Sequence, residues 1–302
     1  MKKYLFTFLT LTLILSFFAH SVEAKIHVFA CAPEWASLTR EIGGDRITIF
    51  TATTSHQDPH TIRERPSMIA QMRRANLVIG SGLDLEAGWL PILLQKAGKS
   101  SVQMNAENNI MAANYIRRLG VPSQVDRSMG DVHAGGNPHV HLNPNNLLAV
   151  SDVILERLSV LNPNNKSFFE ERHRAFKTKM QNQIVIWTKQ AEPLKGMTVI
   201  SHHPNMAYLY DWLGIISVGT LEPRPGVPPT SGHLSRLIDV ARNRNVSLIE
   251  HVPYQSPRAA RWLSNQTGIP SVEMPYTVGG GGTKDLFELF EKTISILLIH
   301  KK

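Results

Sequence analysis

The chain carries a single cysteine in 302 residues. That excludes an internal disulfide and any zinc or iron–sulfur site built from several thiolates. No run of five or more basic residues occurs, and no basic stripe is interleaved with aromatics. The net charge of +8 is therefore dispersed, and no nucleic-acid partner is expected from it. The sequence lacks G-x-G-x-x-G, a Walker A loop, H-E-x-x-H and G-x-S-x-G, so the familiar nucleotide-binding, metalloprotease and serine-hydrolase classes lose their signature residues. Beyond the first 18 residues no segment is apolar enough to span a bilayer. What is present is a 42% hydrophobic composition, sufficient for a sizeable core, and thirteen histidines. With one thiol available, a transition-metal site in this chain has to be built from imidazole and oxygen.

The N-terminus reads as an export signal. Lys2 and Lys3 precede an apolar run from Tyr4 to Phe18, and Val22-Glu23-Ala24 offers small residues where a signal peptidase reads. The run falls short of the ~20 residues a membrane-spanning helix needs. Residues 1–24 are thus expected to be a signal peptide cleaved after Ala24, leaving a periplasmic or otherwise extracytoplasmic protein that starts at Lys25. Val28-Phe29-Ala30-Cys31 loosely mimics a lipoprotein cleavage box, but it lies inside a strand-like stretch, and Cys31 reads as a buried strand thiol.

The rest of the chain alternates strand and helix patterns. Strands are expected over 26–30, 47–51 and 77–80, with helices over 35–42, 67–75 and 88–96. A second β/α series comes later: strands at 197–201, 215–218, 247–250 and 272–274, and helices at 206–213, 233–242, 257–267 and 284–299. Between the two, residues 145–192 have helical spacing, broken once at Asn162-Pro163-Asn164-Asn165, where Asn164 or Asn165 can cap the next helix. From Lys166 on, no glycine or proline interrupts the pattern until Pro193; at 1.5 Å per residue that helix is about 40 Å long. The predicted fold class is α/β: two lobes (25–144 and 193–302), each a parallel β-sheet flanked by helices, joined by a long rigid interlobe helix within 145–192. In such sheets ligands sit at the C-terminal ends of the strands, here in the cleft between lobes.

Three segments put histidine after an apolar strand or beside a rigid turn. They are Ser55-His56-Gln57-Asp58-Pro59-His60, Asn137-Pro138-His139-Val140-His141 and Ser201-His202-His203-Pro204. Asp58-Pro59-His60 and Asn137-Pro138-His139 repeat one device, in which proline fixes the backbone and presents the imidazole with little entropy left to lose. The third segment lies in the other lobe. Three imidazoles converging on a cleft are what a borderline-soft divalent ion such as zinc prefers.

These segments resemble those of the solute-binding proteins of zinc and manganese ABC transporters, the cluster A-I family, over essentially the whole mature chain. Asp58-Pro59-His60-Thr61 resembles the family's first ligand loop. Asn76-Leu77-Val78 through Gly82-Leu83-Asp84-Leu85-Glu86 matches its next strand and turn, and 137–144 resembles the segment carrying the second ligand. His203 with Tyr208 and Gly214 matches the third, and Glu222-Pro223-Arg224-Pro225-Gly226 resembles a loop common in zinc members. The resemblance implies metal ligands His60, His139 and His203. Two features depart from it: Asn137 replaces the usual Asp, and His141 stands where an aromatic is common. Many relatives also place an acidic residue after the last strand, whereas 275–282 here contains no carboxylate.

The fourth position is left to water or to Asp58, Glu222 or Glu250, with His141 as an auxiliary ligand or a donor behind the metal. Strand alternation turns His202 away if His203 points in. His133 reads as a solvated loop residue, His173 and His233 as surface or core helix residues. Trp187, Trp212 and Trp262 read as helix core, and Gly279–Gly282 as a tight, mobile cleft loop. The function implied is a monomeric, non-enzymatic receptor that captures Zn²⁺, with Mn²⁺ less favoured, and delivers it to a membrane ABC permease. The alternative is a secreted zinc-dependent hydrolase, since three histidines plus water also suit a catalytic zinc. An adhesin role on the same fold is compatible with the sequence.

Overall fold

The computed structural model describes residues 24–124, 130 and 132–301. The expected signal peptide, apart from Ala24, lies outside the described residues. Two four-stranded parallel sheets organise the chain. The first contains β1 (Ile26–Ala30), β2 (Ile47–Thr51), β3 (Leu77–Gly80) and β4 (Asn109–Met111) in the order β2-β1-β3-β4. The second contains β5 (Thr198–Ser201), β6 (Ile216–Thr220), β7 (Leu248–His251) and β8 (Ser271–Glu273) in the order β6-β5-β7-β8. Each sheet is doubly wound, so its connections diverge on either side of β1 and of β5. The crevice beyond the strand ends at these switch points is where such folds bind ligands. The strand β3, Leu-Val-Ile-Gly, is buried throughout, as a strand covered on both faces must be.

Helices cover both sheets: α1 (Pro33–Gly43), α2 (Pro66–Arg74) and α3 (Leu90–Ala97) in the first half, then α6 (Ala207–Leu213), α7 (Ser231–Asn243), α8 (Arg258–Thr267) and α9 (Leu286–Ile299) in the second. Proline at the first turn starts α1 and α2, where its missing N–H leaves no intrahelical bond unmade. Between the halves run α4 (Pro144–Leu161) and α5 (Lys166–Gln190). Asn143 caps α4 by accepting from Asn145 N–H. The break before α5 is a single 3₁₀ turn, Pro163–Asn165, and Asn165 makes no side-chain cap there, contrary to the sequence expectation.

Helix α5 buries Phe169, His173, Phe176, Met180 and Trp187 along one stripe. It packs on α1 and α4 at one end and on α9 at the other, where the Trp187 indole N–H donates to Glu291 at 2.8 Å and its ring meets Phe290 at 5.3 Å. One hydrophobic cluster runs from Ile26 through α4 and α5 to Leu297. A shared core of this kind resists large rigid-body opening.

Two further features differ from the sequence reading, and the glycine run forms the tight turn it suggests. The three-residue β4 is too short to show alternation and has no counterpart among the expected strands. Trp262 is 37% exposed, because α8 buries only Ala260 and Leu263 and the indole points off that stripe. Residues Gly280–Gly282 form a 3₁₀ turn packed near Pro275 and held by Lys292, which donates to Gly281 O. Cys31, directly after β1, is 1% exposed and its N–H donates to Ile79 O; burial first, then Glu86 and Glu34, push its thiol well above the usual range. Among the described residues no helix is long and apolar enough to cross a membrane.

Candidate metal centre

The loop after β2 carries His60. Asp58 begins a turn in which its carboxylate accepts from the His60 backbone N–H at 3.0 Å, and the Trp89 indole clamps Pro59 O at 3.0 Å. Asn137-Pro138 delivers His139 ahead of a 3₁₀ turn, Val140–Leu142. β5 ends at Ser201, and His203 comes two residues later as the chain turns into Pro204–Met206. The three rings meet in a near-equilateral triangle. Centroid separations are 5.5 Å for His60–His139, 5.7 Å for His60–His203 and 5.6 Å for His139–His203, each pair edge-on. One ring nitrogen from each lies within 4.8 Å of the other two.

Each histidine spends its Nδ1 on a different partner. His60 Nδ1 meets Asp58 Oδ1 at 2.7 Å, His203 Nδ1 meets Glu222 Oε2 at 2.8 Å, and His139 Nδ1 meets the Tyr276 hydroxyl at 2.8 Å. The Nε2 atoms of His60 and His139 are buried and have no hydrogen-bond partner among the described residues. A buried imidazole nitrogen without a partner is unfavourable unless something else fills its lone pair. The outward-facing carboxylates fix the tautomer and increase the basicity of the inward nitrogens, the arrangement usual for metal-bound histidine.

Electrostatics act in the same sense. Burial, then the neighbouring His203 and His60, hold His139 well below the ordinary histidine range, so it stays neutral near pH 7. Burial tends to raise the Asp58 carboxyl, but hydrogen bonds and charge interaction with His60 outweigh it, and the net shift is downward. Burial pushes the Tyr276 hydroxyl well above its usual range, so it is a neutral phenol.

The remaining sequence candidates fall elsewhere. Asp58 and Glu222 stand behind His60 and His203 rather than among the inward nitrogens. Glu222 also accepts from Gly226 N–H at 3.0 Å and lies 3.8 Å from His202 Nε2. His141 is fully buried outside the triangle. Its Nε2 faces Tyr276 O at 2.8 Å and so carries the proton, while Nδ1 lies 3.4 Å from Glu34. Glu250 is buried at the end of β7, where desolvation raises its carboxyl to about 8 against the opposing pull of the Ser201 and Tyr210 hydroxyls. His202 lies outside the triangle, as strand alternation anticipates. His173 bonds Ser151 and pairs with Asp152, and His233 Nε2 bonds Thr220 O, both away from the cluster.

Two residues at the site escape sequence reasoning. His133 stacks on His60 at 5.4 Å, 27° between planes, rather than being solvated. Tyr276 comes from the loop whose missing carboxylate the sequence does flag. The loop's position is the signal, but a pattern based on acids passes over the phenol.

Comparison with known proteins decides the family. The model of the periplasmic zinc-uptake complex component A (ZnuA) family matches residues 28–298. The chain belongs to the ZnuA family. Among its relatives, the manganese ABC transporter substrate-binding lipoprotein PsaA of Streptococcus pneumoniae is 22% identical over 258 residues, covering 84% of this chain and 80% of PsaA. The high-affinity zinc uptake system protein ZnuA of Bacillus subtilis is 24% identical over 253 residues, covering 83% and 78%. A crystal structure of ZnuA superposes with a TM-score of 0.78 at 20% identity, over 92% of this chain and all of that one. Relatives of the ZnuA family thus include receptors named for either metal, and family membership leaves the choice of ion to the site itself.

Proposed function

We propose that this protein is an extracytoplasmic receptor that captures a divalent transition-metal ion, Zn²⁺ ahead of Mn²⁺, and delivers it to a membrane ABC permease. His60, His139 and His203 hold the ion through Nε2, and residues 1–24 serve as the export signal. The observation that carries this reading is the triangle of imidazoles with every Nδ1 engaged from outside. Family membership and the transport functions named for its relatives support it.

Preference for zinc rests on the donor set. Among the described residues no carboxylate stands among the inward nitrogens, and Tyr276, a neutral phenol bonded to His139, comes from the loop after the last strand. Three nitrogens and a water suit tetrahedral zinc, whereas Mn²⁺ favours more oxygen ligands. The hydrolase alternative needs a general base facing a metal-bound water. Asp58 and Glu222 are already bonded to ligand histidines, and Glu250 is buried and protonated, so none of these three acids is placed for that role. Competitive titration of the metal-free protein with Zn²⁺ and Mn²⁺ tests the reading. Zinc is expected to bind at least tenfold more tightly; tighter manganese binding would overturn the choice of ion, and binding of neither would overturn the receptor reading.

A further inference from the structure

Asn137 lies where the two halves of the molecule meet, and its side chain joins two ligand loops. Its Oδ1 accepts from the backbone N–H of His139 at 2.9 Å, and its Nδ2 donates to Pro204 O at 2.8 Å. The partners fix the amide's orientation, since only oxygen can face an N–H and only nitrogen can face a carbonyl. His139 stands two residues after Asn137 in the first half, and His203 immediately precedes Pro204 in the second. One planar amide therefore spans from the backbone of one cluster histidine to that of the residue next to another. The backbone is tied independently: Asn137 N–H donates to Leu119 O at 2.8 Å, and the Tyr208 hydroxyl donates to Asn137 O at 3.1 Å while accepting from Leu119 N–H at 3.0 Å.

From this we infer that Asn137 is a positioning residue that sets how long the metal is held. This rests on the receptor reading above. The amide holds the His139 and His203 loops at the spacing the ion requires before it arrives, so the ion does not have to draw the loops together. Aspartate cannot substitute. Its carboxylate keeps the bond to His139 N–H but sets a second acceptor against the Pro204 carbonyl, replacing an attraction with a repulsion in a partly buried place. Asn137 is thus used for its N–H₂ group, which bridges the halves.

The test uses stopped-flow zinc binding and chelator-driven zinc release on the mature chain, comparing wild type with Asn137→Asp, Asn137→Ala and Tyr208→Phe. Asn137→Asp is expected to raise the zinc dissociation rate about tenfold or more and to change the association rate less than about threefold. Asn137→Ala, which removes the clamp without adding charge, is expected to raise the dissociation rate by a smaller factor and keeps the test open should the aspartate variant not fold. Tyr208→Phe removes a backbone tie but leaves the amide bridge, so it is expected to lower the apo unfolding temperature while leaving zinc release near the wild-type rate. Wild-type release kinetics in both Asn137 variants would overturn the inference. So would equal acceleration in Tyr208→Phe, which would mark a general loosening. Absence of zinc binding by wild type would instead overturn the receptor reading on which the inference stands.

Discussion

Glu222 accepts from His203 through Oε2 at 2.8 Å and stands 3.8 Å from His202 through Oε1. A single carboxylate thus addresses two consecutive imidazoles, of which only His203 belongs to the triangle. Asp58 does the same for His60 alone, and a neutral phenol does it for His139. Removing the charge while keeping the shape isolates this contribution. Glu222→Gln and Asp58→Asn are each expected to weaken zinc binding about 10- to 100-fold, measured by competition against a chelator of known affinity. Unchanged affinity in both would show that the carboxylates do not tune the ligands.

Histidines at the cluster and histidines elsewhere give contrasting expectations. His60→Ala, His139→Ala and His203→Ala each remove one of three nitrogens and are expected to reduce zinc affinity by about 100-fold or more. His173→Ala and His233→Ala lose contacts to Ser151 and to the Thr220 carbonyl, outside the imidazole triangle, and are expected to stay within about threefold of wild type. Calorimetric titration of the five variants separates the groups. Comparable losses in all five would contradict the ligand assignment.

Proton competition gives the pH dependence. Ligation requires neutral imidazole, so the ion competes with protons and affinity is lost as the histidines protonate. His139, held well below the ordinary histidine range by burial and then by its histidine neighbours, stays neutral to lower pH, and its share of the loss comes later. Zinc affinity is therefore expected to be lower at pH 5 than at pH 7.5. Equal affinity at pH 5 and pH 7.5 would be inconsistent with histidine ligation.

Stability of the metal-free protein has its own pH signature at Glu250. Burial raises its carboxyl from 4.5 to about 8 in the folded state. For a group raised on folding, the stabilising contribution is complete below the unfolded value and is lost as pH rises through the folded one. Glu250 therefore favours the folded state least above pH 8. Glu250→Gln keeps a neutral isostere in place, so the variant is expected to be close to wild type at pH 4.5 and more stable by on the order of a few kcal/mol at pH 8.5. Urea denaturation at the two pH values measures this, and a pH-independent difference would contradict the assignment.

Much of this is legible in the sequence, for identifiable reasons. The strands β1, β2 and β3 announce themselves as short, mostly apolar runs, the last ended by Gly80, and α5 as a long stretch free of glycine and proline. His60 and His139 stand out through the proline before each, and His203 by its place at a strand end. What is not legible is partnership across long separations. Nothing local to Tyr276 points to His139, 137 positions away, and nothing local to Asn137 points to the carbonyl of Pro204. Trp262 is misplaced by the sequence because helical spacing identifies a stripe without fixing how much of the stripe the sheet can cover. Local patterns encode which element forms; the pairing of side chains from distant elements appears only once the two sheets have been brought together.

The most direct measurement is anomalous scattering at the zinc edge from crystals of the zinc-loaded protein. One peak at the centre of the imidazole triangle, at bonding distance from Nε2 of His60, His139 and His203 with Asp58, Glu222 and Tyr276 still engaged on the Nδ1 side, is the predicted result. An ion bound through other residues, or no ordered ion between the three rings, would contradict the account.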